Sequence, residues 1–124
     1  MQAQQDLEQG ILHGIACEWE AARLCLEPDK QSLIRKPIFA LADLKSQWGS
    51  WSPAKRQITL SRRLALYYPW DSIRDVLHHE MAHQIANELF NATAQAPHGS
   101  AFLQACKLLR IDSSASSDYQ PLQD

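Results

Sequence analysis

The sequence contains no apolar run near the roughly 18 residues that a membrane span needs, so no membrane partner is expected. It is poor in cysteine. Cys17, Cys25 and Cys106 are odd in number and form no C-x-x-C pair, which argues against a disulfide framework and a zinc ribbon. They read as small buried hydrophobes of a reducing compartment. The opening MQAQQDLEQG lacks a basic stretch leading into an apolar one, so no secretory signal is expected and the cytoplasm is the expected location. The P-C-x-x-C of zinc-dependent deaminases is also missing. What remains is ordinary globular material: 124 residues, 45% apolar and 21% charged, enough for one domain with its own core.

Net charge is small, −2, but unevenly placed. Residues 30–63 carry Lys30, Arg35, Lys36, Lys45, Lys55, Arg56, Arg62 and Arg63 against Asp43 alone, and the flanking segments are acidic. Two readings stay open. The basic middle meets an anionic partner such as nucleic acid, weakly at most given the net charge. Alternatively it is a solvated sheet face whose lysines guard an edge strand. No interleaving of aromatic and basic residues marks a binding platform, which favours the second.

The most informative stretch is His79-Glu80-Met81-Ala82-His83, within DVLHHEMAHQIANELF. Histidines four apart lie nearly one above the other on a helix of 3.6 residues per turn, so both imidazoles can reach one metal ion. Glu80 is set about 100° around the helix from His79. From there its carboxylate can reach a water on the metal without taking a coordination position. This is the H-E-x-x-H arrangement in which two histidines hold zinc and the glutamate is the general base. Ile73, Leu77, Met81, Ile85 and Leu89 recur every fourth residue on the side opposite the histidines. One face is expected to dock on a core while the other presents the ligands to a cleft. An accidental pair on a solvated helix would lack that division.

The rest of the chain supplies a frame. Leu7, Ile11, Ile15, Trp19, Ala22 and Leu26 predict an amphipathic helix from about Gln2 to Leu26. Gly10 and Gly14 weaken it by about 1 kcal/mol each and suggest close approach of another element. His13 lies off the stripe and is not expected to be a ligand. Residues 38–43 read as a strand, Trp48–Ser52 as a second with a glycine marking a bulge or close backbone approach, and Gln57–Ser61 as a third. The last two are expected to form an antiparallel hairpin around Pro53. Arg62–Tyr68 looks helical. Pro69 or Asp71 is expected to start the long helix. Asn91–Pro97 reads as a loop, and Gly99 or Ser100 caps a last helix to about Arg110 with Phe102, Cys106 and Leu109 inward. His98, just before that helix, is the natural third ligand, because catalytic zinc keeps three protein ligands and one open position. His78, Tyr67 and Tyr68 are near in sequence only; His78 points about 100° away from His79, which suits packing better than ligation.

In order, WGSW with ITLS, then LHHEMAHQ, then HGSAFLQACKLL resemble SprT-like zinc metallopeptidase domains, the SprT/Spartan group. The resemblance covers most of residues 37–110. It implies an α+β, minimal zincin-like fold: an N-terminal helix, a small three-stranded antiparallel sheet, the H-E-x-x-H helix and a C-terminal helix. It implies zinc as cofactor, His79, His83 and His98 as its ligands and Glu80 as the catalytic residue of a metalloendopeptidase acting on protein or peptide substrates. Some members cleave proteins crosslinked to DNA, which makes DNA-associated proteins one expected substrate class. The domain is expected over residues 1–111, with 112–124, rich in serine, as a flexible polar tail or linker. The rival reading is a non-catalytic nucleic-acid-binding module using residues 30–63, with zinc purely structural. Glu80 weighs against it, since a structural site needs no base.

Overall fold

The computed structural model describes residues 2–91 and 98–112. Of the expected tail 112–124, only Asp112 falls within them, and of the expected loop 91–97 only Asn91. The described elements are α1 (Gln2–Leu24), α2 (Pro28–Gln31), β1 (Ile38–Ala42), β2 (Gly49–Ser52), β3 (Gln57–Ser61), α3 (Arg62–Tyr67), α4 (Trp70–Phe90) and α5 (Ser100–Leu109). None of these helices is long and apolar enough to cross a membrane.

Helix α4 is central, with α1, α3, α5, β2 and β3 all packed against it. Of the expected stripe, Ile73, Leu77, Met81 and Ile85 are buried and Leu89 is half-buried. The opposite face is also covered, since Val76, His79, Glu80 and Ala82 are buried too. The helix is therefore covered on both faces; on the ligand face His79 is buried and His83 half-buried, while His98, which joins them from outside the helix, is exposed. It begins after Pro69, whose extended backbone makes it the N-cap; Asp71 sits in the first turn instead of capping it. Helix α1 docks through Ile15 and Trp19, while Leu7 stays exposed. Gly14 lets the Trp70 ring come close, a methyl there lying 3.3 Å from Trp70 Cη2; Gly10 faces open space.

The sheet corrects one expectation. It is mixed, with strand order β1-β3-β2. The hairpin of β2 and β3 is antiparallel, Gly49 opposite Leu60 and Trp51 opposite Ile58. Strand β1, however, runs parallel to β3, Phe39 beside Ile58 and Leu41 beside Leu60. An all-antiparallel meander would put GSWS in the middle. Burial decides otherwise: Ile58 and Leu60 are the fully buried strand residues, so β3 takes the centre and the half-buried β1 and β2 become edges.

The cysteines correct another. Cys106 is buried, and burial pushes its thiol up to about 11, which leaves it inert. Cys17 and Cys25 are exposed and free: Cys17 falls off the buried stripe of α1, and Cys25 lies in the turn just after that helix.

Candidate metal centre

Two helices build the site. Helix α4 carries His79 and His83 one turn apart, their ring centroids 4.9 Å from each other. His98 precedes Gly99, the extended N-cap of α5, so the start of that helix fixes where it points. The three histidines are brought together: each offers a ring nitrogen, and these nitrogens all lie within 4.8 Å of one another. His98 Nε2 and His79 Nε2 are 3.2 Å apart. A tetrahedral ion with metal–nitrogen bonds of about 2.0–2.1 Å spaces its ligand nitrogens about 3.3–3.4 Å apart. The His79–His98 pair meets that spacing, and the three histidines together could hold a metal ion.

Phe102 forms the wall behind the triad. Its ring centroid lies 5.0 Å from that of His79, 4.5 Å from His83 and 4.7 Å from His98. The periodicity of α5 marks Phe102 as inward, but only the packing of α5 on α4 shows that it touches every member of the triad. Burial, followed by the charge of His98, pushes His79 down to about 4. Burial, followed by His79 and His98, does the same for His83, also to about 4. Both imidazoles are thus neutral at physiological pH, the form that donates a lone pair.

Glu80 is buried, and burial alone pushes its carboxyl up to about 8. Among the described residues it makes no hydrogen bond or ion pair. Its neighbour across the interface is the backbone of Gly49, on the edge strand β2. The sequence flagged a close backbone approach at that glycine without revealing what approached.

The other candidates separate from the centre. His78 Nε2 faces Glu18 Oε2 at 3.3 Å, tying α4 to α1. His13 is exposed beside Cys17 Sγ at 3.6 Å. Tyr67 is exposed, and Tyr68 packs edge-on against Trp48, centroids 5.1 Å apart. A cavity of about 250 Å³ is lined by His79 together with Asp75, His78, Arg110, Ile111 and Asp112.

Part of the basic segment is engaged within the protein, while Arg35 and Arg63 are exposed. Arg56 forks onto Glu88 at 2.6 and 3.0 Å. Arg62 meets Glu8 at 3.1 Å and Asp43 at 2.7 Å. Lys36, Lys45 and Lys55 are exposed.

A family model, the SprT-like family, matches residues 31–118. No curated protein and no solved structure matches the chain.

Proposed function

We propose, from the premise that this chain belongs to the SprT-like family, that it is a zinc-dependent metalloendopeptidase with a minimal zincin-like fold. The observation that carries the reading is the convergence of His79, His83 and His98 on one point, with Glu80 next to His79 on the same buried helix. The bound ion would supply Lewis acidity, polarising the scissile carbonyl and acidifying a coordinated water.

The protein's own groups do the rest. His79, His83 and His98 would hold the ion, and Phe102 limits how far their rings can turn. Glu80 accepts the proton of the attacking water and passes it to the leaving amine. The substrate lies extended along a sheet edge and adds its backbone as a further strand. Strand β2 is such an edge, and Gly49 places it against Glu80. Backbone pairing accepts many sequences, so selection falls on whether a segment can be drawn out straight. Unfolded or DNA-associated proteins are the substrates this favours.

Contact with nucleic acid through residues 30–63 is at most weak in this reading. Arg56 and Arg62 face acids of the same chain, leaving Arg35, Lys36, Lys45, Lys55 and Arg63 as the exposed basic residues of that segment.

The test is cleavage of an unfolded protein by the purified chain. Activity should vanish on dialysis against a chelator and return with stoichiometric zinc. A zinc-loaded protein that leaves unfolded and DNA-bound substrates intact would sink the proposal.

A further inference from the structure

Gly49 opens β2 with its α-carbon turned towards α4. A methyl group built on it would lie 2.9 Å from Val76 Cγ1, 3.0 Å from Glu80 Cγ and 3.0 Å from Leu60 Cδ2. These separations are shorter than carbon atoms tolerate at rest, about 3.5–4.0 Å. The neighbours have little room to yield. Val76 and Leu60 are fully buried, and Val76 is branched at Cβ on a helix, which fixes its χ1. The requirement for glycine is spatial, since the described glycines include none with positive φ. The strand cannot retreat either. Gly49 is registered opposite Leu60, and the amide of Ser61 donates to Trp48 O at 2.9 Å, pinning the start of β2 to β3.

Glu80 is held differently from most buried carboxylates. With no hydrogen bond or ion pair among the described residues, its orientation is set by packing, and the atom packed on Gly49 is Cγ, next to the carboxyl carbon. We infer that Gly49 is a positioning residue, whose bare backbone lets the edge strand β2 seat the Glu80 side chain and so aim its carboxylate at the centre formed by His79, His83 and His98. The inference rests on the hydrolytic reading above for its effect on rate, but its structural content does not. A side chain at position 49 would push either the strand or the carboxylate away. Rotating Glu80 about its own bonds leaves the imidazoles where they are, so metal binding is untouched while proton transfer is misaligned.

The experiment separates positioning from simple packing. Gly49→Ala, Val76→Ala and the double variant are compared with wild type in melting temperature, zinc content, kcat and KM on an unfolded substrate. Val76→Ala removes the nearest clash but leaves the contact between the new methyl and Glu80 Cγ. Since the contact with Leu60 Cδ2 also remains, the double variant should regain part of the melting temperature lost in Gly49→Ala and bind one zinc. Its kcat should still lie at least about tenfold below that of Val76→Ala, in line with the sensitivity of proton transfer to placement. If Gly49→Ala alone does not fold, the double variant is the one measured. Recovery of kcat together with the melting temperature would reduce Gly49 to a packing residue and overturn the inference. A second readout needs no activity. In zinc-loaded, carbon-13-labelled wild type, nuclear Overhauser contacts are expected between the Gly49 α-protons and the Glu80 γ-protons, and their absence overturns the inference as well. A wild type that cleaves nothing while showing those contacts refutes the hydrolytic reading and leaves the seating of Glu80 standing.

Discussion

The indole N–H of Trp19 donates to Gln84 Oε1 at 3.0 Å, joining α1 to α4 at the residue that follows His83. Both side chains are fully buried. Gln84 Nε2 donates in turn to Arg35 O and to Glu88 Oε1, each at 2.9 Å. Glu88 receives the Arg56 fork, and Arg56 Nη2 also donates to Arg35 O at 2.9 Å. One polar chain thus links α1, the segment before β1, the β2–β3 turn and the helix of the metal centre.

Breaking that chain at one member leaves the others buried without partners, which costs about 1–3 kcal/mol per group. Gln84→Leu removes the acceptor of Trp19 and a donor to Arg35 O, so it is expected to be the more damaging change. Trp19→Phe strands only Gln84 Oε1, though it also loses packing against Phe39, whose ring centroid lies 6.2 Å away. Urea midpoints should fall in the order wild type, Trp19→Phe, Gln84→Leu. A Gln84→Leu protein as stable as wild type would mean that the network does not hold α1 in place.

The chelated protein should have a stability maximum near neutral pH, and the sign follows from opposed groups. His79 and His83 have folded values of about 4 against an ordinary 6.5. Their contribution is present above 6.5 and is lost as pH falls towards 4, where the unfolded chain binds more protons. Glu80 is raised from 4.5 to about 8, so its contribution is present below 4.5 and lost as pH rises through 8. Between 4.5 and 6.5 two imidazoles outweigh one carboxyl and stability climbs with pH. Above 6.5 only Glu80 acts, and stability declines. Glu80→Gln should abolish that decline, making the chelated variant more stable than wild type at about pH 8. Denaturant melts of both proteins in chelator across the range would show it; parallel curves would refute the assignment.

What the sequence disclosed and what it withheld divide along one line. Signals repeating along a single element were legible: the four-residue spacing of α4, the alternation of Gln57–Ser61, and the His79 to His83 interval. Gly99 before α5 even placed His98 correctly relative to a helix start. Relations between elements were not. The parallel pairing of β1 with β3 depends on which strand is buried deepest, a comparison across three strands that no one of them encodes. Which basic residues of 30–63 are paired was hidden as well, because the acids that answer Arg56 and Arg62, Glu88 and Glu8, lie far along the chain. Phe102 looked like ordinary core for the same reason.

Those pairings bear on nucleic acid. A DNA complex held by residues 30–63 should weaken steeply with salt, in proportion to the phosphates contacted. With Arg56 and Arg62 already paired, binding is expected to be weak at physiological salt. Charge reversal at Lys55, which is exposed, should change it with little effect on stability. Reversal at Arg56 should instead lower the melting temperature, because it sets a carboxylate against Glu88. Fluorescence anisotropy on short duplexes checks the first, and thermal melts the second. Tight binding at physiological salt would revive the nucleic-acid-binding module.

The base and the ligands can be separated by two substitutions that look alike in one assay and different in another. Glu80→Gln keeps size and helix propensity but removes the charge that accepts the proton. It should retain zinc and lose peptidase activity by about 10²–10⁴-fold, the usual worth of a positioned general base. His98→Ala deletes one of the three nitrogens that converge within 4.8 Å, leaving two on α4. It should lose activity as well, but through weaker zinc binding, and excess zinc should restore part of it. The ligands converge only in the folded chain, so zinc stabilises the native state by mass action. Zinc should therefore raise the melting temperature of wild type and of Glu80→Gln by similar amounts, and that of His98→Ala by much less. Three measurements decide the matter: zinc content after dialysis, the melting shift on adding zinc, and cleavage of an unfolded substrate. A Glu80→Gln protein that cleaves like wild type would remove Glu80 from the reaction. A His98→Ala protein that binds zinc with undiminished affinity would place the third ligand elsewhere, and the convergence on His98 Nε2 would then be packing alone.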